Sequence, residues 1–60
     1  MKLSEVSEAI NNDKVVRFSN GDYQVIGYKV MKIRGKKEHF LAILDLKNQR
    51  TILWVGINDV

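Results

Sequence analysis

His39 is the one histidine in a chain that has no cysteine, and this alone narrows the chemistry available. A metal site needs several His, Cys or carboxylate ligands at workable spacing, and general acid and base catalysis needs titratable groups that converge on a cleft. Neither a nucleophile nor a second ligand stands beside His39. Ser4, Ser7 and Ser19 fall in helix or turn settings, where capping is the usual role of a hydroxyl. His39 therefore reads as structural or solvent-facing. Asp45, between Leu44 and Leu46, reads as an ion-pair partner for Arg17 or Lys47 rather than as a ligand-binding carboxylate. Glycines at positions 21, 27, 35 and 56 are too widely separated for a phosphate-cradling loop. No enzyme activity, catalytic residue, metal or cofactor is expected.

The remaining chemistry is charge and aromatic surface. Lys29, Lys32, Arg34, Lys36 and Lys37 lie within nine residues, with Glu38 the single acid beside them, whereas elsewhere five basic residues face six acids. All of the +3 net charge thus resides in one segment. A basic finger of this kind would hold nucleic acid through its phosphates, largely blind to sequence. The reading the residues favour over this is a solvated hairpin tip whose lysines discourage edge-to-edge association.

The elements that must carry these groups follow from periodicity. Leu3, Val6, Ala9 and Ile10 share one helical face, so residues 4–12 read as a short amphipathic helix. Ser4 suits its N-cap, and Asn11-Asn12 suits its end. From Lys14 onward, stretches rich in Val, Ile, Tyr, Phe and Trp are punctuated by turn residues about every ten positions, the texture of strands. Strands are expected at 14–19, 22–34, 37–47 and 50–56. Two-residue turns centred on Asn20-Gly21 and Gly35-Lys36, and a turn around Asn48-Gln49, set the registers. These pair Phe18 with Tyr23, Lys32 with His39, Tyr28 with Ile43, and Ile43 with Trp54.

Alternation along the strands then sorts the side chains. Val16, Phe18, Tyr23, Val25, Met31, Phe40, Ala42, Leu44, Leu46, Leu53 and Val55 form the expected core face. Ile26, Tyr28, Val30, Leu41, Ile43, Ile52 and Trp54 form a second apolar face. Gly27 is where a bulge could bend the long second strand, and such a bulge would exchange the faces on one side of it. One short helix of Leu3, Val6 and Ile10 covers little of seven apolar residues. Tyr28, Val30, Ile43 and Trp54 are accordingly the candidate protein interface, since Tyr and Trp are common interface anchors.

At 60 residues, 45% apolar and 28% charged, the chain makes one globular domain of small stability, unassisted by disulfides. Small domains in that position often lean on self-association, so a homodimer is among the partners to test. No apolar run approaches the roughly 18 residues that span a bilayer, and Met1 to Asn12 lacks a signal-peptide core; a cytoplasmic protein without membrane contact is expected.

The fold class expected is mostly β with a short N-terminal helix, a strongly bent antiparallel meander of four to five strands. The segments KVVRFSNGDYQVIGYKV and HFLAILDLKNQRTILWVGINDV, within residues 14–60, resemble an SH3-like small barrel. There a fourth strand, a tight turn and a very short fifth strand follow in this order. The chain is similar in this to short uncharacterised proteins encoded by phages and prophages of Gram-positive bacteria. The resemblance implies an accessory protein acting on a host component, and carries over no functional residue. Three readings follow. The first is a binding module for a protein, a host factor or a second copy, and the second a nucleic-acid module using the basic segment. The third is a protein that sequesters a small anionic ligand.

Overall fold

A computed structural model describes residues Met1 to Val60. The amphipathic N-terminal segment forms a 3₁₀ turn, Leu3–Glu5, that runs into helix α1, Val6–Asn11. Four antiparallel strands follow: β1 (Val15–Phe18), β2 (Gly21–Ile33), β3 (Lys36–Asp45) and β4 (Ile52–Gly56). They pair in chain order as a meander, a curled half-barrel. The chain closes with a 3₁₀ turn at Ile57–Asp59, where a fifth strand was expected. No helix is long and apolar enough to cross a membrane.

The helix is stopped by a Schellman arrangement rather than by its asparagines. Lys14 donates to the Ala9 carbonyl at 2.9 Å and Asp13 to that of Ile10 at 3.4 Å, with Asp13 itself left-handed (φ 52°). Gln24 Nε2 donates to Asp13 Oδ1 at 3.1 Å, tying this cap to β2. Ser4 lies inside the 3₁₀ turn instead of capping; the Lys2 amide donates to the Glu5 carboxylate at 3.2 Å there. Only Val6 and Ala9 of the helical stripe are buried, while Leu3 stays exposed.

Both two-residue hairpin turns sit one residue earlier than the glycines suggest. Ser19 and Asn20 take the left-handed conformation (φ 49° and 65°), and Arg34 and Gly35 do the same (φ 51° and 81°). This is the pair of positive φ angles that a type I′ turn demands. Val16 therefore faces Tyr23, Lys32 faces Lys37, and Val30 faces His39. Moving a turn by one position shifts the pairing by two residues, so no face changes.

Two other features do exchange faces. In β2, Val25 pairs with Ile43 and Gly27 with Ala42, leaving Ile26 as the extra residue of a bulge. Between β3 and β4, residues 46–51 form a longer loop than the expected turn. Asp45 Oδ1 accepts from the Lys47 amide (2.9 Å) and Asn48 Oδ1 from the Arg50 amide (3.2 Å), two successive Asx turns. Asp45 is thus a loop organiser, not an ion-pair partner of Arg17 or Lys47. Arg17 instead meets Asp22 across the β1/β2 pair at 3.8 Å, an exposed contact of little energetic weight. The loop leaves Ile43 opposite Leu53 and Ala42 opposite Trp54.

Every residue between the bulge and the loop consequently lies on the opposite face from the one its alternation suggested. Leu41 and Ile43 join Val25, Val55, Val6, Ala9 and Ile57 in the buried cluster, with Val16, Phe18, Tyr23 and Leu53 packed around it. Met31, Phe40, Ala42 and Leu44 move to the convex face, where Ala42 is nonetheless buried. The Met1 backbone nitrogen donates to the carbonyls of Ile57 (3.1 Å) and Val60, which draws both ends of the chain over the core.

Ile43 is 0% exposed and Ile52 is 52% exposed, which makes the face exchange measurable. Ile43→Val is expected to lower unfolding free energy by about 0.5–1.5 kcal/mol in urea titration, and Ile52→Val by less than about 0.5 kcal/mol. Equal effects would restore the simple alternation.

Candidate nucleic-acid interface

β1 pairs with β2 only as far as Gln24, and β4 pairs with β3 only as far as Phe40. Beyond those points, β2 and β3 continue as a two-stranded ribbon with both edges open, turning at Arg34-Gly35. From Lys29 to Ile33 this ribbon extends about 13 Å at the rise of a strand. It accounts for the elongated 36 × 21 × 17 Å envelope of so short a chain. The basic segment is therefore a projecting arm.

The arm's two faces differ in charge. Tyr28, Val30 and Lys32 share one face with Lys37, His39 and Leu41, and this concave face continues the core surface past the end of the helix. It holds no carboxylate. Lys29, Met31 and Ile33 share the convex face with Lys36, Glu38 and Phe40. Residues 28–40 together carry a net +4 and the rest of the chain a net −1.

Lys32 and Lys37 are direct cross-strand partners. Like charges in that position destabilise a ladder, and neither lysine forms an ion pair that would offset this. Arg34 adds a second local cost, because a non-glycine residue in the left-handed region is strained. Lys32, Arg34, Lys36 and Lys37 are all exposed, and none forms an ion pair.

Lys29 separates from this group. Its Nζ lies 4.2 Å from the centroid of the Trp54 ring and 5.6 Å from that of Phe40, a cation–π contact on the convex side. The arm thus offers four free cations rather than five.

The four residues expected to form one protein interface are divided. Ile43 is core. Tyr28 and Val30 lie exposed on the concave side of the arm, while Trp54, 48% exposed, lies on the convex side beneath Lys29. What joins Tyr28 is His39: hydroxyl and Nδ1 share a hydrogen bond of 2.6 Å. This diagonal contact was illegible in the sequence, since the expected register set His39 against Lys32.

Two clefts flank the sheet, and both are edged by carboxylates. Glu5 and Glu8 with Lys14 line the one beside the helix; Glu38 and Asp59 with Lys37 and His39 line the one between β3 and the last 3₁₀ turn, so acids outnumber lysines in each. Neither has the charge to hold a small anion. Comparison with family models, with curated proteins and with solved structures finds no match.

The Lys32/Lys37 opposition yields a prediction of unusual sign. Lys37→Glu should stabilise the isolated domain by about 0.2–1 kcal/mol at low salt, with a smaller gain at high salt, as read by the urea midpoint.

Proposed function

We propose that this protein is a non-enzymatic nucleic-acid-binding module that grips phosphates with its β-arm. The observation that carries this reading is the lysine pair set face to face on a projecting ribbon, with no carboxylate on that face. Such a pair works against folding and in favour of a polyanion. Four unpaired cations, Lys32, Arg34, Lys36 and Lys37, cluster at the end farthest from the acid-bearing body, where a long anionic ligand can reach them all.

Contacts of this type displace counterions, so affinity falls steeply with salt and depends little on sequence. With four phosphate contacts, log K against log salt should have a slope of about −3 to −4. Replacing Lys36 and Lys37 by Glu together should weaken binding and make the slope shallower by about two. Fluorescence anisotropy with labelled oligonucleotides across a salt series measures both; a curve unchanged by the double charge reversal would refute the reading.

A protein partner is the second reading, favoured by the convex face. Ile52 and Trp54 are about half exposed there, with Phe40 and Leu44 half-buried beside them. An SH3-like accessory protein of phage type that docks on a host protein, or on its own copy, would use this strip. Association through it should persist at raised salt and be lost in Trp54→Ala, by analytical ultracentrifugation for the self-association case.

A further inference from the structure

Tyr28 and His39 form a flat aromatic unit on the cationic face of the arm. Their ring planes are 13° apart and their centroids 6.0 Å apart, while the hydroxyl and Nδ1 are only 2.6 Å apart. Nearly parallel rings whose hydroxyl and Nδ1 come that close meet edge to edge rather than face to face. Stacking face to face would hold those heteroatoms apart from a common hydrogen bond. The unit bridges the ribbon diagonally, since Tyr28 stands on β2 opposite Leu41 and His39 on β3 opposite Val30.

Its position matters as much as its shape. Along the concave face, the cross-strand pairs run outward from the core as Tyr28 with Leu41, then Val30 with His39, then Lys32 with Lys37. Tyr28 is 37% exposed and His39 partly buried, and the lysine pair is the next pair beyond Val30 and His39. A phenol in mid-strand next to a histidine could have been sealed by an apolar neighbour. Here the hydroxyl and Nδ1 satisfy each other, and the Tyr28 side chain stays exposed.

We infer that Tyr28 and His39 form a stacking platform for an unpaired base whose flanking phosphates are held by Lys32 and Lys37, so that the preferred ligand is single-stranded nucleic acid. This rests on the arm's being the nucleic-acid interface. Every base offers a π face, whereas in a duplex those faces are occupied by neighbouring base pairs; an open aromatic platform beside cations suits a strand whose bases are free. The platform supplies no hydrogen-bond code for particular bases, and the binding is tolerant of sequence.

The test compares a labelled oligothymidine with a labelled duplex of the same length, by anisotropy at equal salt. Three proteins are used, each checked for its fold by one-dimensional NMR: wild type, Tyr28→Leu and Tyr28→Phe. Leucine keeps apolar bulk without a π face, and phenylalanine keeps the face without the hydroxyl. Wild type should bind the single strand more tightly than the duplex. Tyr28→Leu should lose about 5- to 100-fold in single-strand affinity, with an unchanged salt slope, and Tyr28→Phe should retain most of it. If Tyr28→Leu binds oligothymidine as wild type does while the Lys36 and Lys37 reversals still weaken it, the platform is overturned and the arm remains the binding element. If Tyr28→Phe loses as much as Tyr28→Leu, the hydroxyl rather than the ring surface matters, which also overturns it. Insensitivity of both probes to the lysine reversals would remove the arm itself from consideration.

Discussion

Val25 and Gly27 are two residues apart, yet they pair with Ile43 and Ala42, which are neighbours. The remainder of the structure follows from that mismatch. A strand's side chains alternate strictly, so one surplus residue, Ile26, returns Tyr28 to the side already occupied by Val25. Leu41 and Ile43 are thereby turned inward under the helix, and three side chains, Val25, Leu41 and Ile43, become completely enclosed. Gly27 fits its place because a β-carbon there would come within 3.2 Å of the Ala42 methyl, tighter than ordinary packing. The bulge also bends β2 over the core, which lets a very short helix cover what must be covered.

The same step in the ladder organises the arm. Past the bulge, the face that packs the core runs outward without interruption into Tyr28, Val30 and Lys32. A domain this small would gain stability by ending its sheet where β1 and β4 end. It instead extends a two-stranded ribbon that buries little and sets two lysines against each other. Features that oppose folding and are nevertheless built into a regular element are the places where function and stability compete. On the convex side, Lys29 lies over Trp54, so the charge nearest the body shields an aromatic ring while the charges farther out remain free.

Much of this was legible in the residues. Asn20-Gly21 and Gly35 mark the two hairpins to within one position, and Gly27 marks the bulge, because turns and bulges depend on local backbone preferences that particular residues carry. The basic hairpin was equally plain, since charge clusters along a strand need no register to be seen. The division of the proposed interface was hidden: Tyr28, Ile43 and Trp54 look alike as apolar residues of neighbouring strands, and only the pairing decides which of them share a side. Asp45 illustrates the second hidden cause. Its Asx turn lengthens the β3/β4 connection into a loop, and the shift of one residue that results sends Trp54 to the side away from Ile43.

From its residues alone, this chain is bound to be a small helix-plus-meander domain with a cationic hairpin, because composition, periodicity and turn chemistry act locally. Which apolar residues are core, which meet across the arm, and that Tyr28 bonds His39 while Lys32 opposes Lys37, were decided by the tertiary structure. Alternation carries only parity, and parity can be reset by a single extra residue whose position is chosen by how the whole sheet packs.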